Sequence, residues 1–322
     1  MMKQEKGKRI CIFTFLFAFV CLFSFFCPLA NSQLSQLVVQ KTEPVLRGID
    51  LADRVDMESI GYLSLVQVEP LGRIDSVLTS DKMLISAGDE IFVDFGSTKD
   101  VKPGETFSIG HTSELIRHPI TNKPFGYLVS IRGTLTVKEH VKDGTYLAGV
   151  GKTFAEVFVD DIVVPHQLIG SCLQPMPADP KLYGNIIAID DNREVIGKFT
   201  IVYLDGGFKD GIQTGSTFDV VSLHKRPILE FNRYPLEDIS KDVIDVLGKE
   251  AYLDDFMRKI TEGKTIYEYS VGKLLVIDAK PDTAIGVVLS GKEELAPGAF
   301  IKGMPWVEPP DFLASLPACA VK

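Results

Sequence analysis

Two lysine–aspartate pairs, Lys99-Asp100 and Lys209-Asp210, occupy the same place in a stretch that the chain writes twice. The first copy runs from Gly96 to Phe107 and the second from Gly206 to Phe218. A cation beside a carboxylate in a Gly-rich loop could form a recurrent ligand edge, and such loops can cradle phosphate with backbone N–H groups. Neither copy ends in Gly-Lys-Ser/Thr. Each follows an apolar, β-rich run, Ile91 to Phe95 or Ile201 to Leu204, and each exits through Thr-Phe into another. A phosphate cradle needs a helix after the loop, so that chemistry is excluded. The simpler reading is a turn between strands, with glycines supplying unusual backbone angles and an Asp stabilising the turn beside a solvated Lys.

The remaining reactive side chains form no recognisable catalytic set. The five histidines, His111, His118, His140, His166 and His224, lack the one-turn spacing around a Glu that a zinc protease requires. His111 and His118 could form a metal pair, but solvated loop histidines are the simpler expectation. No Gly-x-Ser-x-Gly elbow is present. The acidic doublets Asp160-Asp161, Asp190-Asp191 and Asp254-Asp255 read as turn or cap residues, because neighbours on a strand point to opposite faces. No calcium-loop spacing occurs. The expectation is a protein without catalytic residues, cofactor or metal.

The 322 residues are 45% hydrophobic and 24% charged, enough for a buried core. Lys3, Lys6, Lys8 and Arg9 precede an apolar run from Ile10 to Cys27, and small residues follow at Ala30 and Ser32. That is the pattern of a secretory signal peptide over residues 1–32; an uncleaved anchor is the alternative, and the only membrane attachment the sequence suggests. The segment carries four basic residues and one acid, a net of +3, so the whole-chain charge of −9 becomes about −12 without it. An acidic export product is poorly suited to nucleic acid. Beyond residue 32 only Cys172 and Cys319 remain. Outside the cytoplasm a disulfide between them and two unlinked thiols both fit.

Short β-rich segments separated by Gly, Asp and Pro turns predict an all-β protein. After a lead-in at 33–60, a first small barrel unit spans 61–166. A Pro-rich linker covers 167–183, a second unit 184–303, and a loosely ordered Pro-rich tail 304–322. The units align with shifts of 112 at Gly72/Gly184, 110 at Ile91/Ile201 and 111 at Phe107/Phe218, which argues duplication. The shift then grows to 146 at Gly126/Gly272, so the second unit holds 35 extra residues. Their apolar spacing predicts two short helices within about 234–264. Tyr252, Phe256 and, just beyond the insert, Tyr267 are candidate partner contacts beside Lys99, Asp100, Lys209 and Asp210.

Four stretches carry a family resemblance: Glu58 to Tyr62, Ser86 to Val93, Arg117 to Tyr127 and Tyr203 to Gly211. Together they resemble the β region downstream of the LysM module in bacterial envelope LysM proteins. The last is also similar, more weakly, to the C-terminal domain of flagellar assembly protein T. The most specific string is His118-Pro119-x-Thr121-x-x-Pro124-x-Gly126-Tyr127. The LysM module itself is absent, so peptidoglycan binding does not carry over with the resemblance. What it implies is a Gram-negative envelope location and a non-enzymatic β scaffold. Duplication without catalytic motifs adds the expectation that this scaffold binds a protein partner or itself. Direct peptidoglycan or polysaccharide binding is the alternative. It would need exposed aromatics, with Tyr127, Tyr146, Tyr203, Tyr267 and Trp306 as candidates.

Overall fold

A computed structural model describes residues 48–79, 82, 84–96, 100–190, 195–225 and 266–319. The predicted signal segment and helical insert lie outside these residues. In chain order the first half forms β1 (Ile49–Asp50), β2 (Tyr62–Ser64), β3 (Gly72–Val77), β4 (Leu84–Ile85), β5 (Glu90–Asp94), β6 (Thr106–Thr112) and β7 (Ile116–Arg117). It continues with β8 (Pro124–Lys142), β9 (Thr145–Thr153), β10 (Val157–Phe158) and β11 (Ile162–Pro165). The second half forms β12 (Cys172–Leu173), β13 (Tyr183–Ile189), β14 (Ile201–Leu204), β15 (Thr217–Lys225), β16 (Ile266–Ala279), β17 (Ala284–Gly291), β18 (Phe300–Gly303) and a single-turn helix, α1 (Asp311–Ala314).

Two six-stranded antiparallel barrels result. The first closes in the order β3-β5-β9-β8-β6-β11 and back to β3. The second closes as β13-β14-β17-β16-β15-β18. Strand for strand the two orders are the same, and the agreement extends to irregularities. A bulge at Ile74/Ser76 recurs at Ile186/Ala188, and one at Ile109/Gly110 recurs at Val220/Val221. The bridge Ile85–Val157 recurs as Ile196–Leu295. Bulges bend strands at particular places. Their repetition at equivalent residues reflects one barrel plan used twice.

The barrels differ in how many faces they bury. In β3 burial alternates along Gly72, Arg73, Ile74 and Asp75, one side inward and one toward solvent. Its inward side chain Ile74 joins Ile91, Ile109 and Leu135 in the first barrel's interior. In β14 all four residues are buried. Val202 and Leu204 belong to the second barrel's interior, whereas Ile201 and Tyr203 pack in a separate cluster with Leu63 and Leu128 of the first barrel. β16 and β17 divide in the same way, with Leu275, Ile277, Ile285 and Val287 facing that shared cluster. Each large side chain so buried stabilises the fold by about 1.5–3 kcal/mol. The shared cluster therefore welds the two barrels together.

The connecting segments are structured. β12 interrupts the Pro-rich linker and pairs with β1. The tail expected to be loose is packed through Cys319. Trp306 Nε1 donates to Thr217 Oγ1 at 2.8 Å, and α1 buries Leu313 in the shared cluster. Cys319 is bonded to Cys172 as a disulfide with a Cα separation of 5.6 Å. Its N–H also donates to the Gly48 carbonyl at 2.8 Å. Proline content alone misled here: Pro310 immediately precedes α1, a position where a proline is tolerated. Among the described residues, no helix is long and apolar enough to cross a membrane.

Candidate functional site

The loop from Arg117 to Lys123 turns sharply, with Asn122 in the left-handed region (φ 54°). Pro119 restrains it, and His118 N–H and Asn122 N–H exchange bonds with the Lys123 and His118 carbonyls. This aims the His118 ring out of the first barrel and into the second. Its Nδ1 accepts from the N–H groups of Ile120 (3.2 Å) and Thr121 (3.3 Å), which leaves the proton on Nε2. Nε2 donates to Asp205 Oδ2 at 3.1 Å. Asp205 caps the end of β14 and also accepts from Asn185 N–H (2.7 Å) and Asn185 Nδ2 (3.0 Å). The side chains of His118 and Asp205 are 7% and 0% exposed.

His118 thus departs from the solvated loop histidine expected of it. Both ring nitrogens are engaged, so the imidazole presents no free base to a substrate. The pair is a latch between barrels. Thr283 Oγ1 donates to the Leu63 carbonyl nearby, and Lys280 Nζ lies 4.4 Å from the centre of the Tyr62 ring. Burial pushes the Tyr62 phenol up and the Lys280 amine down from their ordinary values.

His111 goes elsewhere. It sits on β6, and its Nδ1 is 3.3 Å from Asp161 Oδ1. Asp161 closes a turn, as expected of it, since its N–H donates to the Phe158 carbonyl, yet its side chain is buried, with the residue 5% exposed. Asp160 takes a left-handed conformation (φ 72°), which swings the next carboxylate inward. There it accepts from Phe158 N–H (2.8 Å) and from Arg132 Nη1 (3.3 and 3.4 Å). Arg132 also lies over the Phe158 ring, 5.8 Å from its centre. Carboxylate, guanidinium and imidazole therefore meet at the start of β11 and on the strands β8 and β6.

His111 and Arg132 border an open groove of about 800 Å³ on the first barrel. Its apolar lining includes Leu115, Ile116, Ile131 and Phe154, while Glu114, Arg132 and Glu156 place charge around it beside the His111 ring. Leu115 is 44% exposed. An apolar floor with a charged edge suits recognition of another surface.

Only the second copy of the twice-written loop lies wholly within the described residues. Lys99 lies outside the described residues, and Asp100 is exposed. In the second copy Lys209 Nζ pairs with the Asp282 carboxylate (2.9 and 3.0 Å), and Asp210 Oδ2 accepts from Gly207 N–H (2.9 Å). The loop packs against the β16–β17 hairpin: Phe208 and Lys209 donate to the carbonyls of Lys280 and Pro281. A Cβ on Gly207 would fall 2.2 Å from the Lys280 oxygen, so only glycine permits this approach. Tyr252 and Phe256 lie outside the described residues; Tyr267 pairs with His224 across the β15–β16 ladder.

Two of the aromatics considered for polysaccharide stacking are unavailable. Tyr146 is 6% exposed inside the first barrel, and Tyr203 is fully buried in the shared cluster. Tyr127 and Trp306 are half-buried. Sequence reasoning missed His118, Asp161 and Arg132; the His118-Pro119 string was the one available signal. Among the described residues, no group of three or more His, Cys, Asp or Glu is placed to hold a metal ion. No family model matches the chain, and no curated protein matches it.

Proposed function

We propose that this chain is an exported, non-catalytic protein of the bacterial envelope that binds a protein partner, or a second copy of itself, through the first barrel. The groove bordered by His111 and Arg132 carries this reading. It combines the exposed Leu115 with an arginine whose carboxylate partner is already buried, so the guanidinium is held in place for recognition. The latch and the shared cluster make the double barrel a stiff body on which such a surface is presented without ordering on binding.

The test is crosslinking in intact cells followed by recovery of the tagged chain, comparing the wild type with Arg132→Glu. A specific crosslinked species that Arg132→Glu diminishes supports the reading. A monomer that recovers nothing overturns it. Co-sedimentation with purified sacculi examines the alternative, direct peptidoglycan or polysaccharide binding: enrichment in the pellet would favour that alternative.

A further inference from the structure

Lys280 lies in the hairpin turn between β16 and β17, on the wall of a second cavity of about 630 Å³. Its Nζ has two contacts, Gln167 Oε1 at 3.3 Å and the face of the Tyr62 ring, whose centre is 4.4 Å away. Neither carries a full negative charge. No carboxylate among the described residues forms an ion pair with the amine, and the residue is half-buried. Taking an ammonium out of water without a paired anion disfavours the charged form. Asp278, on the same cavity, pulls the other way, but burial outweighs it and the amine holds its proton less tightly than usual.

These surroundings favour a nucleophile over a salt-bridging cation. A desolvated amine spends more of its time neutral, and the neutral amine is the form that attacks a carbonyl carbon. Lysines elsewhere on the fold are held the opposite way: Glu58 strengthens the hold of Lys152 on its proton, and Glu268 that of Lys302. The cavity also offers polar groups beside the amine, the Gln167 amide, the Thr214 hydroxyl and the Asp278 carboxylate. Such a lining suits a ligand that carries hydroxyls, which can both donate to and accept from it.

We propose that the Lys280 amine captures a small hydroxylated aldehyde in this cavity as an imine. The nitrogen lone pair adds to the carbonyl carbon. The two amine hydrogens then leave with the carbonyl oxygen as water, and a C=N bond replaces the C=O bond. No oxidant or reductant is consumed, and water reverses the step. A protonated imine places its positive charge where the ammonium stood, within reach of the Asp278 charge. The Thr214 hydroxyl and the Gln167 amide receive the hydroxyls of the ligand. The site is separate from the groove on the first barrel and stands whether or not that groove binds a partner.

Reductive trapping on the intact chain tests this. The protein is exposed briefly to glyceraldehyde with cyanoborohydride at neutral pH, and the modified lysines are located by peptide mapping. Lys280 is modified severalfold faster than Lys102 and Lys292, which are exposed and have no ion-pair partner among the described residues. Propionaldehyde, of equal carbon count but without hydroxyls, gives Lys280 a smaller lead. Lys280→Arg loses the fast modification and leaves the rates at Lys102 and Lys292 unchanged. The mapping of the wild-type chain decides the matter even if that variant misfolds. A Lys280 modified no faster than Lys102 and Lys292 overturns the proposal. So does an equal lead with the two aldehydes, or a folded Lys280→Arg chain that keeps the fast modification.

Discussion

His118 Nε2 donates its proton to Asp205 Oδ2 across the boundary between the two barrels, and neither side chain is open to water. The bond joins a turn of the first barrel to the end of a strand in the second, 87 residues later. Its neighbours are the shared apolar cluster and the Thr283–Leu63 hydrogen bond. Inter-barrel geometry is therefore set by directional contacts as well as by apolar burial.

Replacing Asp205 by Ala removes the acceptor for three donors, two from Asn185 and one from His118. We expect a loss of about 3–5 kcal/mol, as for other broken buried pairs. His118→Ala should lose about 1–3 kcal/mol, the desolvation penalty left on its partners. Urea unfolding of both single variants and the double variant measures their coupling, expected at about 1 kcal/mol or more. Strict additivity would mean that the two side chains do not act together.

Gly207→Ala places a methyl 2.2 Å from the Lys280 carbonyl oxygen and 2.6 Å from that of Pro281. Both obstacles are backbone and cannot swing aside. The variant should lose about 3 kcal/mol through overpacking. Gly170→Ala is the control: a Cβ there meets nothing within 4 Å, and its change should stay within about 0.5 kcal/mol. Thermal unfolding of the two variants side by side decides the matter.

Loss of the Cys172–Cys319 bond should destabilise the chain by about 2–4 kcal/mol, because it closes a long loop spanning 147 positions. Reductant should lower the melting temperature of the wild type toward that of the double Ser variant and leave the variant unmoved. Limited proteolysis should then cut first between 304 and 318, where the tail has lost its covalent anchor. Cleavage elsewhere before the tail would contradict this order of release.

Asp89 carries a pH dependence. Its hydrogen bond from Lys82, and then that from the Ser86 N–H, hold its carboxyl below the usual 3.8. A lowered folded value means stability that is present above 3.8 and lost as pH falls through the lower folded value. Asp89→Asn should thus be less stable than the wild type at neutral pH, and the gap should close in acid. Urea midpoints at neutral pH and near roughly pH 2 provide the comparison; a gap that persists in acid would assign the effect to something other than this charge.

Strand character was legible wherever side chains alternate or run apolar. The run Ile201-Val202-Tyr203-Leu204 reads as a strand from composition alone. That its outer face meets another barrel does not, because a continuous apolar run fits any strand covered on both sides. The second copy of the repeated loop was legible as a turn, and Gly211 takes the left-handed angle there (φ 92°). His118 was not, because its partner is remote in sequence and the ring's environment is made by the far barrel. Asp161 was legible as a turn residue, but its burial was not, because Arg132 and His111 reach it from strands remote in sequence. The tail was misjudged because prolines limit backbone hydrogen bonding but do not prevent packing by Trp306 and Leu313.

The hydrogen bond from Cys319 to Gly48, with the bridge between Ile49 and Ala318, brings the two ends of the described fold side by side. In connectivity the double barrel is almost a ring. A tension applied at residue 48 enters next to the cystine and is shared with the far end of the chain before it reaches either barrel. The same closeness means that a short linker could join residue 319 to residue 48 and new termini could open in an exposed turn, yielding a circular permutant with the same two barrels.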